Sequence, residues 1–463
     1  MTSTVVLGGG PAGYVAALRA AQLGAQVTLV ESREIGGTCL NRGCIPTKAM
    51  VAAVERLRMA RGAAEFGIVV GEPRIDVVRL LARRAAVVAQ QRAGVEHLLS
   101  ARKVEVAAGR GRLLDARTVA VAESPDGSPE REVRGDAVIL ATGSRPALPP
   151  VFAVDDPRIV TSDELLALDE LPESLAIVGG GVIGCEFASV YAELGVPTTV
   201  VEMLERLLPA EDRRASAALT RAFQAAGVQS RVRTKVERLE LPPSGPVGLV
   251  LSDGATVEAA LVLVSVGRAP VSGGLGLDEA GVALDEAGFV VTDACQRTTL
   301  AGVFAAGDVA GPPLLAHWAY HQGAVAAENA VLGSALEVDR RFVPNCIFSH
   351  PEVASFGTSE DEAKAQNLPV NVAQVRFNAN SKAVVEGEND GYIRIVARAD
   401  DERVIGASLV GPHVTELVQE LVLAAQAGLT LSDIAATIHA HPTLSEGVGE
   451  AALGSLGRGM HTL

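Results

Sequence analysis

Cysteines and aromatic residues are scarce in this chain. Its 463 residues include five cysteines, and Phe, Trp and Tyr together make up 3% of the composition. A secreted disulfide scaffold needs many paired cysteines, so a small and odd number excludes that class and fits a reducing cytoplasm. We expect one redox pair and three buried thiols, the latter at Cys185, Cys295 and Cys346.

Long apolar runs and an excess of basic residues are also missing. No run approaches the roughly 18 apolar residues that a membrane span needs, and no signal sequence precedes the first β-like run at residues 4–7. The formal net charge is -15, whereas general nucleic-acid binders and binders of anionic membranes need a basic surface. We therefore expect a cytoplasmic protein that binds neither nucleic acid nor membranes.

The length is enough for about three domains of about 150 residues, and two of them are related by an internal repeat. Residues 5–13 align with residues 176–184, and the alignment continues without a gap to the acids Glu31 and Glu202. Gly24 also falls on Gly195. A strand, a turn, a helix, a second strand and a terminal acid therefore recur in the same order.

Each copy carries the glycine pattern G-x-G-x-x-G, and each glycine has a physical reason. The first allows a tight turn, the second lets the backbone approach a pyrophosphate, and the third lets the helix pack against the strand. The pyrophosphate then meets free N–H groups at the helix N-terminus. The acid that follows the second strand is placed to accept hydrogen bonds from ribose hydroxyls. One such pattern is weak evidence, but two in register predict two dinucleotide-binding domains.

Just after the first copy, Cys39 and Cys44 stand with four residues between them. In a regular α-helix, Cα atoms at this spacing lie roughly 8.6 Å apart, but a disulfide needs about 4.4 to 6.8 Å. The two cysteines can pair only if a helix is distorted or begins between them, and Gly43 provides the backbone freedom. We expect an easily reduced disulfide. The alternatives are a structural bridge or a metal pair; the cytosolic composition and the lack of a second cysteine pair argue against both.

The rest of the chain divides by composition. The pattern predicts, in order, a helical Arg-rich stretch (49–99), a β-like stretch ending at residues 136–143, a proline-rich linker (146–157), a buried strand (261–268), a strand that ends at a turn carrying an acid (302–308), and an α+β domain from about residue 342. That last region combines strands of alternating polarity, two helices and a His-rich loop.

Several motifs in this order resemble the pyridine nucleotide-disulfide oxidoreductases nearly end to end, and most closely the members that act on dihydrolipoamide. The segments that carry the resemblance are residues 36–48, 141–143, 267–270, 306–308, 350–354 and 439–446. The resemblance implies an α/β fold with two Rossmann-like domains, for FAD and NAD, and a C-terminal α+β dimerisation domain. The implied domains are 1–148 (FAD, first part), 149–266 (NAD), 267–338 (FAD, second part) and 339–463 (dimer interface).

The resemblance also implies two sets of cofactor contacts. The FAD set is Gly8, Gly10, Pro11, Ala12, Gly13, Glu31, Ser32, Gly37, Thr38, Lys48, Ala141, Thr142, Gly143, Arg268, Asp308, Leu315, Ala316 and His317. The NAD set is Gly179, Gly181, Val182, Ile183, Gly184, Glu186, Glu202, Val266 and Gly267. In the FAD set, Glu31 would hold the adenosine ribose and Asp308 the ribityl chain. We expect no metal site.

The catalytic set follows the same resemblance. Cys39 would exchange with substrate and Cys44 would lie against the flavin, and a helix starting near Cys44 together with Lys48 would favour the thiolate. Lys48 would pair with Glu186 beside the flavin on the nicotinamide side.

His441 precedes Pro442, which disfavours helix at the histidine, and Glu446 is close enough in sequence to orient its ring. Both His439 and His441 are available on sequence alone; the family pattern selects the one before proline. As general base, His441 would take a proton from the incoming dithiol. In the family this histidine reaches the disulfide of the other subunit, so we expect a homodimer with shared active sites.

The function implied is oxidation of dihydrolipoamide to lipoamide with NAD⁺ as acceptor. A lipoyl-bearing partner, such as a 2-oxoacid dehydrogenase complex, would come from another chain. Glu202 favours NAD because it would repel a 2′-phosphate, although Arg206 is nearby. Alternatives are a glutathione-, mercuric- or protein-disulfide reductase on the same scaffold, and a non-catalytic nucleotide-binding subunit. Val271, Trp318 and Tyr320 depart from the family pattern, which commonly has asparagine at the first and charged residues around the other two.

Overall fold

The computed structural model describes residues 2–122 and 130–461. Its helices are α1 Pro11–Gln22, α2 Gly37–Arg42, α3 Cys44–Gly62, α4 Val77–Ala101, α5 Ser162–Leu165, α6 Val182–Glu193, α7 Arg213–Ala225, α8 Leu277–Ala280, α9 Ala316–Leu332, α10 Glu360–Ala365, α11 Ser381–Glu386, α12 Val414–Gln426, α13 Leu431–Ala436 and α14 Glu446–Ser455. Within those two ranges, none of the helices has the length and apolar character needed to cross a membrane.

The strands are short and form six sheets in the described ranges. They are β1 Ser3–Leu7, β2 Gln26–Glu31, β3 Glu105–Ala108, β4 Arg110–Asp115, β5 Thr118–Ala122, β6 Glu130–Arg134, β7 Ala137–Leu140, β8 Ser144–Pro146, β9 Ile159–Val160, β10 Leu175–Val178, β11 Thr198–Val201, β12 Gln229–Arg231, β13 Val236–Glu240, β14 Val247–Leu251, β15 Thr256–Ala259, β16 Leu261–Val264, β17 Arg268–Pro270, β18 Val303–Ala305, β19 Asn345–Ile347, β20 Glu352–Gly357, β21 Val370–Arg376, β22 Tyr392–Arg398 and β23 Val404–Gly411. Residues 123–129 of the predicted β-like stretch lie outside the described residues.

The first glycine repeat belongs to a parallel sheet of order β18-β7-β1-β2-β3. Four of its strands precede residue 141 and the fifth, β18, lies far along the chain. The chain therefore leaves this sheet and returns to it, which agrees with the predicted discontinuous first domain. The boundaries at residues 148, 266 and 338 stay predictions.

The second repeat forms a parallel sheet of order β12-β11-β10-β16-β9. Its pairing register repeats that of the first sheet: Val5 lies opposite Thr28, and Ala176 lies opposite Thr199. Strand β10 is buried throughout and β1 is buried except at Ser3, as expected for parallel sheets covered on both faces. The internal repeat is thus a repeat of structure down to single residue pairs.

The C-terminal part is an antiparallel sheet of order β19-β20-β23-β22-β21, packed against α12 and α14 in one apolar core. The loop between α13 and α14 carries the predicted histidines. A second core joins Met50 and Val54 of α3 to the second sheet and to Ile347 and Val353. The helix that starts at Cys44 therefore runs where the three parts of the molecule meet.

The predicted helical stretch at residues 49–99 is interrupted in the structure. Helix α3 ends at Gly62, a short 3₁₀ turn follows, and α4 begins only after Asp76, whose carboxylate accepts a hydrogen bond from the Arg79 amide at 3.0 Å. Gly67, at φ 74°, and Pro73, which has no N–H, explain why one helix cannot continue through this segment.

Candidate active site

The two cysteines of the redox pair lie at a break between two helices. Helix α2 ends at Arg42, Gly43 has φ -144° and ψ -108°, and Cys44 is the first residue of α3. A helix therefore begins between the cysteines, as the spacing required. The two thiols interact directly: a hydrogen bond between them raises the pKa of Cys39 and lowers the pKa of Cys44, and the charge of Lys48 favours both thiolates. Cys44 is accordingly the sulfur that ionises first.

The other three cysteines, Cys185, Cys295 and Cys346, are not part of this redox pair. Cys185 and Cys295 are buried, as predicted. Cys346 is only half-buried, so the prediction of a buried thiol was wrong there; it lies at the edge of its sheet on the short strand β19. Burial still raises the pKa of Cys346 to about 12. Burial raises the pKa of Cys185 as well, so neither Cys185 nor Cys346 is a thiolate near neutral pH.

The first glycine turn contains three glycines of the pattern. At two of them the surrounding protein leaves no space for a side chain, and at the third it does. A methyl group at Gly8, which has φ 107°, would lie 2.3 Å from the carbonyl oxygen of Ala141, and one at Gly13 would lie 1.7 Å from that of Gly8. At Gly10 the nearest atom would be 3.8 Å away. A glycine with that much room fits a site where a ligand, rather than the protein, needs the space.

Glu31 is the acid at the end of the second strand, and it fastens the same turn. Its carboxylate accepts hydrogen bonds from the Gly9 amide at 2.6 Å and the Arg33 amide at 2.7 Å. Ser32 lies next to it, with Oγ 3.5 Å from the same carboxylate. Each oxygen of a carboxylate has a second lone pair, so Glu31 can still accept from a ribose hydroxyl.

Asp308 is connected to Arg268 through Ser144. The Asp308 carboxylate accepts a hydrogen bond from the Ser144 hydroxyl, and Arg268 Nε donates to that hydroxyl at 2.6 Å. Thr142, just upstream, donates to the carbonyl of Val271 at 2.6 Å. Ser144 was not among the residues predicted from the sequence; its position directly after Gly143 was the only indication of its role.

Helix α9 begins after Leu315, with Ala316 and His317 in its first turn. His317 Nε2 lies 2.8 Å from the carbonyl of Pro344, and burial lowers the pKa of this imidazole. A methyl group at Gly323 would lie 2.3 Å from the Ala12 carbonyl, so α9 packs tightly against α1. The N-termini of α1 and α9, the open space at Gly10 and the Asp308 carboxylate together suit a group with phosphates and a polyhydroxyl chain. FAD is such a group.

The segment that carries the dithiol packs directly onto the first turn. Gly37 has φ 59°, and a methyl group there would lie 2.6 Å from the Cα of Gly10. Thr38 follows it in α2. On the facing helices α1 and α9, the rings of Tyr14 and Tyr320 lie 5.8 Å apart, near enough to Cys39 to interact with it electrostatically. Tyr320, one of the departures from the family pattern, thus faces the dithiol.

The second glycine turn repeats the first in detail. A methyl group at Gly179, which has φ 109°, would lie 2.4 Å from the Ser265 carbonyl, and one at Gly184 would lie 1.9 Å from that of Gly179. At Gly181 no atom would lie within 4 Å. Helix α6 starts at the next residue, Val182, and Ile183 is its second residue.

Glu202 accepts hydrogen bonds from backbone amides at the second turn, as Glu31 does at the first. It accepts from the Gly180 amide at 2.6 Å and the Leu204 amide at 2.7 Å. Val266 and Gly267, just past β16, are the remaining predicted nicotinamide contacts. Val266 is exposed and Gly267 has φ 126°. These contacts fit a second dinucleotide.

Lys48 and Glu186 join the two regions. Lys48 Nζ lies 2.8 Å from both carboxylate oxygens of Glu186, whose side chain is 6% exposed. The ammonium also lies 4.5 Å from the centre of the Phe348 ring, a cation–π contact. The Phe348 amide donates to Glu186 at 3.0 Å. Phe348 was missed in the sequence; its position two residues before His350-Pro351 was the only hint.

The structure distinguishes the two candidate histidines. Both ring nitrogens of His439 are engaged, with the Thr437 carbonyl at 3.1 Å and Glu420 at 2.9 Å, and its side chain is 10% exposed. His441 is 71% exposed, and its Nδ1 lies 2.9 Å from Glu446. One imidazole is thus fixed in the protein, and the other presents Nε2 outward.

Glu446 is itself held in place beside His441. The Thr443 amide donates to its second carboxylate oxygen at 2.8 Å. Partial burial opposes ionisation, but this bond and the bond with His441 together lower the pKa of Glu446. A carboxylate fixed in this way orients the ring. Within the described ranges of the single chain, no hydrogen bond links His441 to the dithiol.

Comparison with known proteins identifies the class. The family model described as pyridine nucleotide-disulphide oxidoreductase matches residues 2–323, and the dimerisation-domain model of the same family matches residues 343–452. The chain therefore belongs to the pyridine nucleotide-disulphide oxidoreductase family, whose members use FAD and a nicotinamide. The family and fold expected from the motifs are confirmed.

Individual relatives match over their whole length. The chain is 40% identical to dihydrolipoyl dehydrogenase of Bacillus subtilis, covering 99% of this chain and 98% of the relative, and 42% identical to dihydrolipoyl dehydrogenase 2 of Haloarcula marismortui, covering 100% and 98%. Among solved structures, LpdA of Mycobacterium tuberculosis superposes with a TM-score of 0.91 at 33% identity, covering 98% of this chain and 99% of that one. The HOCl-induced flavoprotein disulfide reductase RclA of Escherichia coli superposes with a TM-score of 0.86 at 28% identity, covering 96% and 98%.

Proposed function

We propose that this chain oxidises dihydrolipoamide to lipoamide and passes the electrons to NAD⁺. The observation that carries the proposal is the placement of an interacting thiol pair on α2 and α3 between two nucleotide-binding turns, with Lys48 and Glu186 bridging them. The relatives from Bacillus subtilis and Haloarcula marismortui, matched over their whole length, carry the name of this activity.

The residues of the pair divide the thiol exchange between them. One thiolate of the substrate attacks Cys39 in the disulfide, and the bond to Cys44 breaks. The second substrate thiolate then attacks the mixed disulfide at the substrate sulfur, which closes the lipoamide ring and releases Cys39. The pair ends as a dithiol, with the negative charge favoured on Cys44. FAD, when bound, would supply the two-electron acceptor that connects this dithiol to NAD⁺.

His441 supports the exchange by accepting protons. Its exposed Nε2 can take the proton from an incoming thiol, while Glu446 stabilises the imidazolium. We assign this role to the histidine of the partner subunit, because His441 lies on the part of the chain that matches a dimerisation domain. The domain boundaries and the cofactor contacts named above belong to the same proposal. A lipoyl-bearing protein of a 2-oxoacid dehydrogenase complex is the proposed partner.

A steady-state assay tests the proposal. Purified holoprotein is given dihydrolipoamide or reduced glutathione, each with NAD⁺ or NADP⁺, and dihydrolipoamide with NAD⁺ should be turned over fastest. Cys44→Ser should lower that rate by at least about 10³-fold while flavin absorbance is retained, because the disulfide cannot form.

Cys346→Ser is the matched control, since it removes a thiol that has no partner sulfur, and it should leave the rate within about twofold. Normal turnover by Cys44→Ser would exclude the dithiol mechanism. Faster oxidation of glutathione than of dihydrolipoamide would assign the site to another disulfide substrate.

A further inference from the structure

Two tyrosine rings face each other beside the dithiol. Tyr14 lies on α1 and Tyr320 on α9, and the ring centres are 5.8 Å apart. The two helices are closely packed, because a methyl group at Gly323, one turn after Tyr320, would lie 2.3 Å from the Ala12 carbonyl oxygen. The backbone on both sides therefore holds the ring pair in place. The mechanism proposed above does not use Tyr320.

Cys39 lies close to this pair because the dithiol segment packs on the start of α1. A methyl group at Gly37 would lie 2.6 Å from the Cα of Gly10. Cys39 follows Gly37 in α2, and Tyr14 lies one turn after Gly10 in α1. Both phenols are within electrostatic range of Cys39, and Tyr320 is 37% exposed. The exposed part of Tyr320 is therefore a surface that a thiol approaching Cys39 can contact.

The two phenols carry no charge near neutral pH. Burial is the largest of the causes that raise the pKa of Tyr14 and Tyr320, and a hydrogen bond joins the two hydroxyl groups. The neighbouring sulfurs of Cys39 and Cys44 raise the pKa of Tyr320 further. The pair thus presents ring carbons and neutral hydroxyl groups to the dithiol site.

The two helices also lack a free cation. Arg19 is the only Lys or Arg in α1, and Glu328 is the only Asp or Glu in α9. These two side chains pair with each other, with Arg19 Nη2 2.7 Å from the carboxylate. On α9, His317 is bonded to a backbone carbonyl, and the ring of His321 lies 5.9 Å from that of Trp318. An anionic ligand at the tyrosine pair therefore finds no unpaired Lys or Arg on either helix.

We propose that Tyr320 is a specificity-determining residue for the thiol substrate. Its ring, supported by Tyr14, forms an uncharged aromatic wall beside Cys39 that favours an aliphatic dithiol over a charged peptide thiol. The carbon chain of dihydrolipoamide can lie against the ring and leave water. Glutathione carries carboxylates, which would lose hydration at this wall without gaining an ion pair. The inference rests on the proposed function and names the residue that selects its substrate class.

The test compares lipoamide with glutathione disulfide as substrates that the holoprotein reduces with NADH. Tyr320→Ala should raise the KM for lipoamide about 5- to 10-fold, because the apolar contact is lost, and should change the KM for glutathione disulfide less than about twofold. Tyr320→Phe keeps the ring and should stay within about twofold for both substrates. Tyr320→Arg should raise kcat/KM for glutathione disulfide relative to lipoamide about 10-fold. That gain should shrink between about 50 mM and about 500 mM salt.

Leu332→Arg is the matched control for the added cation. Leu332 is 59% exposed at the end of the same helix, about 18 Å along the axis from Tyr320, so this variant should not change the ratio of the two substrates. Reduction of the flavin by NADH alone, without a disulfide, should be the same in every variant. This second control shows that the fold and the cofactor sites are intact.

Three results would overturn the inference: an unchanged KM for lipoamide in Tyr320→Ala, an equal loss for both substrates, or a loss in Tyr320→Phe as large as in Tyr320→Ala. Tyr320→Ser repeats the test if the alanine variant does not fold. Failure of the proposed function would appear separately, as wild-type protein that does not turn over dihydrolipoamide with NAD⁺.

Discussion

The two nucleotide-binding turns have the same geometry and different surroundings. The first glycines, Gly8 and Gly179, have φ 107° and 109°, and the second glycines, Gly10 and Gly181, have room that no protein atom fills. The difference lies at the second glycine: Gly37 packs onto Gly10, whereas no described atom would lie within 4 Å of a methyl group at Gly181. Under the proposed assignment, a nucleotide at the first turn would lie against the dithiol segment, whereas one at the second turn would be free to enter and leave. The difference suits a resident flavin and an exchanging nicotinamide.

The segments that follow Glu31 and Glu202 differ, and each places different side chains beside its turn. After Glu31, the chain enters α2 and α3 and delivers the two cysteines beside the turn. After Glu202, it forms a loop in which the Glu205 carboxylate lies 2.6 Å from the Arg206 guanidinium. A repeated fold has therefore been specialised through the segment that is not repeated.

The largest expected effect comes from substituting the second glycine of each turn. Gly10 and Gly181 have φ -72° and -77° in extended backbone, a conformation that alanine adopts without strain. Neither alanine would clash with the protein, so both variants should fold. Gly10→Ala should lose flavin absorbance and all turnover, because its methyl group occupies the space of the pyrophosphate. Gly181→Ala should keep its flavin and raise the KM for NAD⁺ about 10- to 100-fold.

Visible absorbance after gel filtration and a coenzyme titration separate the two outcomes, with the unchanged protein as reference. Retention of flavin by Gly10→Ala, or its loss from Gly181→Ala, would break the assignment of the first turn to the resident cofactor and the second to the exchanging one.

The repeat was predictable because each of its demands is local. A glycine at positive φ, a third glycine at the start of a helix and an acid at the end of a strand are all set by neighbours in sequence. The break between Cys39 and Cys44 was predictable for the same reason, since helix geometry alone forbids the pair.

Apart from the Lys48–Glu186 pair, which the family resemblance implied, contacts between distant segments were not predictable. Ser144 meets Asp308 across 164 residues, and Phe348 meets Glu186 across 162. No sequence pattern near Ser144 or Phe348 predicts its partner. The family pattern had already selected His441 over His439, and the structure adds the physical reason, because burial and the second hydrogen bond of His439 come from tertiary packing.

A second, smaller effect measures how firmly the two regions are joined. Lys48→Met leaves the buried carboxylate of Glu186 without its charged partner and should destabilise the protein by about 2 to 3 kcal/mol, less than for a fully buried pair because Lys48 is partly exposed. Glu186→Gln alone should cost less, since the Phe348 amide keeps an oxygen acceptor. Combined in a double-mutant cycle by urea denaturation, the two should show a coupling of about 1 to 2 kcal/mol.

The matched control is the pair Lys382 and Glu386, which also lie 2.8 Å apart but on one short helix, where the carboxylate is 33% exposed instead of buried. Its coupling should stay below about 0.5 kcal/mol. Equal couplings for the two pairs would mean that the Lys48 bridge is no more than a surface ion pair, and the link between the regions would then rest on apolar packing alone.

The smallest effect should be equal in both regions. Gly24 and Gly195 end the helices that follow the two turns, with φ 86° and 85°, open space around them and the same closing hydrogen bonds: Ala25 to Ala20 at 3.1 Å and Val196 to Tyr191 at 3.0 Å. A left-handed conformation costs a residue other than glycine about 1 to 2 kcal/mol. Gly24→Ala and Gly195→Ala should therefore each destabilise by about that amount in urea denaturation.

Gly94 provides a control of opposite sign. It lies inside α4 with open space around it and no positive φ, so Gly94→Ala should stabilise by about 0.5 to 1 kcal/mol. Unequal losses at Gly24 and Gly195 would show that the copies differ in their helix ends as well as in what covers them. Equal losses, beside unequal effects at Gly10 and Gly181, would locate the divergence of the two copies in the chain segments that were added to a common fold.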